Sequence, residues 1–166
     1  MFRKLLGVIG FVAMLAVASS AHAQTWTAVA SSGALDNFSL STYSSSFAML
    51  GFNTTASANV NAIYNVTNLK DSGNPAWTTL EFTARVPSPG GLNTFATAGL
   101  YRVPKGSATQ SVICTALAPG TSAISTSSCT FSSALIDFAN YNYFVRVSLG
   151  RDSGVGTVAA YGLRVF

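Results

Sequence analysis

The chain has 166 residues, 49 % of them hydrophobic and only 8 % charged. That balance suits one folded domain and excludes a charge-rich disordered polymer. Nine basic residues against five acidic ones give +4, yet no run of bases could track a phosphate backbone, which argues against nucleic acid as a partner.

Residues 1–23 have the layout of a secretory signal peptide. Arg3 and Lys4 give a positive start, Leu5 to Val17 form an apolar run of 13 residues, and Ala21-His22-Ala23 is a small-x-small cleavage site. Spanning a bilayer takes ~20 apolar residues. The segment is therefore expected to be removed, leaving Gln24 first, no transmembrane helix, and a protein in the periplasm or outside the cell. The layout resembles bacterial export signals. The expected single domain is 24–166. It keeps seven basic residues (Lys70, Arg85, Arg102, Lys105, Arg146, Arg151, Arg164) against Asp36, Asp71, Glu81, Asp137 and Asp152, a net charge of +2. It also lacks histidine, because His22 lies in the leader. That removes the commonest general base and the commonest neutral metal ligand. No cofactor and no metal are expected.

Thr25–Ala30 reads as a short strand anchored by Trp26. Ser31–Ser46 is Ser-rich and less regular, with a strand expected around Asn37–Leu40 and another over Ser46–Phe52. In Asn59–Leu69 the residues Val60, Ala62, Tyr64 and Val66 alternate with polar neighbours. Leu80, Phe82, Ala84 and Val86 do the same after the turn-rich Lys70–Pro75. Those two segments predict an antiparallel hairpin. Pro87–Gly91 breaks the chain. Thr94–Val103, apolar on both faces for part of its length, is expected to be a central strand that turns at Pro104-Lys105-Gly106 into Thr109–Leu117.

Cys114 and Cys129 are the only cysteines and are expected to form one disulfide, tethering a loop over Ala116–Ser128. Ser132–Asn140 is the one place for a helical turn. Tyr141, Tyr143, Val145, Val147 and Leu149, then Ala159, Tyr161, Leu163 and Val165, alternate cleanly and predict a closing hairpin with Leu149 opposite Thr157. No 3.6-residue apolar period persists. The fold class is all-β: an antiparallel β-sandwich of eight to ten short strands, with a jelly roll among the forms expected.

Catalytic constellations are weak. Gly150-Arg151-Asp152-Ser153-Gly154 offers a serine but no histidine to activate it, and it falls where a turn is needed. Glu81 with one of the aspartates could form a glycosidase pair, although Glu81 alternates with threonines on an exposed face. Asp71 and Asn74 are too few for a calcium site. The candidate contact surface is the outward side of the closing hairpin: Phe144, Arg146, Arg164 and Phe166, with Phe144 covering Gly162. A neighbouring loop or the N-terminal segment could cover it. Otherwise it would meet another protein, a second copy, or a glycan stacking on an aromatic ring.

Three exported families share features with the chain. It resembles chaperone-assembled pilins in size, β-content and its cysteine pair, but has Val165 where their pattern has tyrosine. It resembles small outer-membrane barrels in its period-two alternation and Phe166, but has Arg164 where an aromatic is preferred. It is similar to carbohydrate-binding modules in fold class alone. The reading is an exported, non-enzymatic β-sandwich with a structural, adhesive or binding surface. The alternatives are a small outer-membrane barrel and a carboxylate-dependent glycan-active enzyme.

Overall fold

The computed structural model describes residues 24–70 and 73–166. The signal-peptide reading of residues 1–23 and the aspartate at position 71 lie outside the described residues.

Alternating sequence becomes eleven strands, one to three more than the alternation suggests. They are β1 (Trp26–Val29), β2 (Ala34–Leu35), β3 (Tyr43–Ser46), β4 (Met49–Phe52), β5 (Ala58–Val66), β6 (Thr79–Arg85), β7 (Phe95–Pro104), β8 (Ser111–Leu117), β9 (Ile124–Thr130), β10 (Tyr141–Arg151) and β11 (Ala159–Val165). Sheet I runs β3-β4-β11-β6-β9, with β1 also on β11, and sheet II runs β2-β5-β10-β7-β8. Eight of the strands pair in a nested order: β7 with β8, β6 with β9, β5 with β10, β4 with β11. This is one long antiparallel ribbon, doubled back after β7 and rolled into two sheets, which is the jelly-roll path. Both sheets end in open edges, so the expectation of a closed membrane barrel is overturned.

Both expected long hairpins are overturned as well. β10 pairs along its length with β5 and β7 in sheet II, while β11 pairs with β1, β4 and β6 in sheet I. β5 and β6 are likewise divided between the sheets. Alternation specifies which face of a strand is buried and leaves its hydrogen-bonded neighbour open. The paired apolar rows do meet, but across the core. The links 67–78 and 152–158 exceed the tight turns that force local pairing, so each can cross from sheet to sheet. The second crossing is pinned by Arg151, only 7 % exposed, whose Nη1 and Nη2 donate to the carbonyls of Thr54 (2.6 Å) and Val155 (2.7 Å).

The core lies between the sheets. Val60, Ala62, Tyr64, Val66, Tyr143, Val145, Val147 and Leu149 come from sheet II, and Leu80, Phe82, Ala84, Leu163 and Val165 from sheet I; all are buried. Tyr161 is an exception. A bulge between Ala160 and Gly162 breaks the period of two, so Ala160 enters the core and Tyr161 is left half-buried.

Three local expectations also change. Asn37–Leu40 forms turns, with Ser39 buried and its backbone N–H bonded to Asp36 Oδ1 at 2.8 Å. The stretch 43–52 is a tight hairpin whose turn places Phe47 at φ 47°. Within the expected 116–128 loop, β9 is an edge strand paired to β6. Its inner face is half-buried but is made of Ser125, Ser127 and Cys129, so it carries no apolar alternation. The Cys114–Cys129 disulfide joins β8 to β9, edge strand to edge strand, with Cα atoms 5.9 Å apart. The expected helical turn is a short 3₁₀ segment, Ser133–Leu135. Among the described residues no helix is long and apolar enough to cross a membrane.

Candidate functional site

Because Tyr143, Val145, Val147 and Leu149 face the core, Asn142, Phe144, Arg146 and Ser148 must face outward from β10. Antiparallel register extends each into a row across sheet II. Asn65, Phe144 and Tyr101 form one row, Ile63, Arg146 and Gly99 the next, and Asn61, Ser148 and Thr97 the third. β10 rises ~3.4 Å per residue, so the strip from Asn142 to Ser148 is ~20 Å long.

At its middle the rings of Phe144 and Tyr101 lie parallel, 5.1 Å between centroids and 4° between planes. Tyr101 leans over Gly99, where a Cβ would come within 2.7 Å of the ring, so the platform depends on the missing side chain. The Arg146 guanidinium carbon lies 5.1 Å from the Tyr101 centroid and 5.9 Å from that of Phe144. Its Nη2 donates to Gln110 Oε1 at 3.0 Å. Both rings are half-buried, and a cation over rings near the surface is worth ~0.5–1 kcal/mol, enough to favour this rotamer.

Two clefts flank the platform. The first, about 260 Å³, is lined by Asp36, Asn61, Ile63, Arg146 and Ser148. Hydrogen bonds from Ser39 Oγ and N–H and from Asn61 Nδ2 outweigh partial burial and hold the Asp36 carboxyl below its ordinary 3.8, so it stays ionised. The second, about 490 Å³, has Asn65, Asn68, Asn142, Lys105, Phe138 and Tyr141 among its walls. Lys105 Nζ donates to the Phe138 carbonyl at 2.8 Å. Beneath it Tyr143 Oη accepts from the Asp137 N–H at 2.6 Å and donates to the Leu135 carbonyl at 2.8 Å. Desolvation pushes the Tyr143 phenol up, so it remains a neutral donor.

Of the four residues singled out in the sequence, the structure brings two together. Phe144 and Arg146 share the strip, whereas Arg164 and Phe166 belong to the outer side of sheet I. There Arg164 Nη1 meets Glu81 Oε2 at 3.2 Å, and its guanidinium carbon lies 4.8 Å from the Phe166 ring centroid. Splitting the supposed hairpin splits the supposed patch. Gly162 goes with sheet I and lines a 250 Å³ cleft with Thr27 and Glu81, so Phe144 does not cover it. Tyr101, Gln110, Asn61, Asp36, Lys105 and Tyr141 escape sequence reasoning. Tyr101 had a signal: a glycine two residues before an aromatic on one strand, with nothing else to cover that backbone.

Among the described residues no three His, Cys, Asp or Glu side chains converge as a metal site would require. Compared with known proteins, the chain matches no family model, and no curated protein is similar to it.

Proposed function

We propose that this is an exported glycan-binding protein that uses the outer face of sheet II and performs no chemistry on its ligand. The observation that carries this reading is the parallel Phe144–Tyr101 pair between two clefts, each lined by one cation and by amide side chains, one in the first and three in the second. Sugar rings offer apolar C–H faces to an aromatic surface and hydroxyls to Asn, Asp, Ser and Arg. Export is supported by the leader-like residues 1–23 and by the Cys114–Cys129 disulfide, which suits an oxidising compartment. A binding role without hydrolysis is supported by the carboxyls. A glycosidase general acid needs a raised pKa. Asp36, Asp137 and Asp152 are all lowered, by bonds from Ser39, Asn140 and Asn93 respectively, and Glu81, the glutamate of the glycosidase pair considered above, is paired with Arg164 on sheet I, away from the platform.

The test is a glycan array followed by titration calorimetry, comparing the wild type with Phe144→Ala and Tyr101→Ala. The expected result is a bound glycan whose affinity falls about tenfold or more in each variant, consistent with stacking worth ~1–3 kcal/mol per ring by analogy with base–aromatic stacking. Circular dichroism should remain unchanged. A glycan that binds both variants as well as wild type would sink the reading, and so would an array with no signal.

A second reading, self-association, is favoured by the exposed Phe38 and Phe47 beside the open edge formed by β2 and β3. Sedimentation would then show a dimer that Phe47→Ser dissociates.

A further inference from the structure

We infer that the glycan held by sheet II is an acidic polysaccharide lying along β10, with its anionic groups read by Arg146 and Lys105. This rests on the glycan-binding reading and narrows its ligand by charge.

Both cations are held in place without a direct ion-pair partner. Arg146 Nη2 is bonded to the neutral amide of Gln110, and Lys105 Nζ to the backbone carbonyl of Phe138. Among the described residues the one ion pair is Arg164–Glu81, on the opposite side of the sandwich. A guanidinium anchored through one nitrogen, with its carbon near two rings, still has N–H groups for a carboxylate or sulfate. Lys105 is anchored by one of three donors and shares its cleft with Asn65, Asn68, Asn142 and Tyr141. That set suits a sugar ring bearing an acid: amides for hydroxyls, a ring face for C–H, an ammonium for the charge.

Register sets the spacing. The Lys105 N–H bonds the Asn140 carbonyl, and Arg146 lies six residues beyond Asn140, so the backbone positions that carry the two cations stand ~20 Å apart. A chain of several sugars spans that length, crossing the Phe144–Tyr101 platform on the way. Asp36, ionised and bordering the far cleft beyond Arg146, repels an acidic group there. The anionic portion is thereby placed between Arg146 and Lys105.

Titration calorimetry of the purified protein tests this with polygalacturonate, alginate and chondroitin sulfate. Each is set beside a neutral counterpart made by esterification or desulfation. At least one acidic polymer should bind more tightly than its counterpart, and less so as salt rises. Arg146→Gln and Lys105→Gln should each cost that polymer about tenfold, the effect of one charge-assisted hydrogen bond, and weaken the neutral form clearly less. Arg146→Lys should restore part of the loss. Equal, salt-insensitive binding of acidic and neutral forms would overturn the acidic ligand and leave glycan binding standing. Binding to none of these polymers or to any neutral glycan would bring down the face as a glycan site. Competition by single-stranded DNA equal to that of the acidic glycan would show that charge alone is read, which overturns the inference.

Discussion

Sheet I and sheet II turn different surfaces to solvent. On sheet I Arg164 pairs with Glu81, the Thr83 and Thr126 hydroxyls bond at 2.9 Å, and Arg85 Nε donates to the Ser122 carbonyl at 2.9 Å. On sheet II the cations are matched only to neutral acceptors, and two aromatic rings lie parallel between clefts. The buried faces differ far less, since both present alternate apolar side chains to one core. A closed core can therefore be built from two sheets whose outer faces are free to differ, and the face that sets a cation beside two stacked rings is the one to test for a partner.

The largest expected effect removes what holds the two faces at a fixed separation along one edge. Replacing Cys114 and Cys129 together by Ser should lower unfolding free energy by ~3 kcal/mol, the chain-entropy value for a loop of about 15 residues. Denaturant titration would measure it, and glycan binding in the cold should survive. Next, Gly99→Val should displace the Tyr101 ring, destabilise by ~1–3 kcal/mol and abolish binding. On the other face Gly162→Ala meets only the Ala28 carbonyl at 4.0 Å and should change neither property. Smaller still, Arg164→Ala breaks an exposed pair worth ~0–1 kcal/mol and should leave binding untouched. An equal loss of binding in Arg164→Ala and Arg146→Ala would erase the contrast between the faces.

The smallest effect is electrostatic. The Asp36 carboxyl is lowered in the folded state by its hydrogen bonds, chiefly from Ser39. Its contribution is present in full above the unfolded-state value and is lost as pH falls through the folded one. Thermal melts between about pH 5 and about pH 2 should show a slightly shallower decline in Asp36→Asn than in wild type.

Much of the buried pattern was legible. Val60, Ala62, Tyr64 and Val66, and Tyr143 to Leu149, point inward as the period of two requires, because burial is a local property of each strand. Which strand lies beside which was not legible. Apolar rows that pair within one sheet and rows that pack across two sheets write the same alternation, and the connection 152–158 carries no turn that forbids either. β9 and Phe47 escaped for a related reason: an edge strand of Ser and Thr has no apolar row, and a left-handed turn residue is normally glycine or asparagine. At the candidate site, Phe144 was found because it interrupts a polar face, and Arg146 because it is the charge beside it on that face. Tyr101 was hidden in a strand apolar on both sides, and Lys105 in a turn.

The nested order of the ribbon also bears on how such a chain is made. β10 and β11 sit in the interior of their sheets although nine strands precede them. A polypeptide threaded through a membrane pore with its N-terminus leading would hold β5 and β7, then β4 and β6, as unfinished edges until those two strands emerged. On the proposed export route, release from the pore, rather than synthesis of any single segment, would be the moment at which the domain can close. A helper that shields exposed strand edges would matter most in the interval before it.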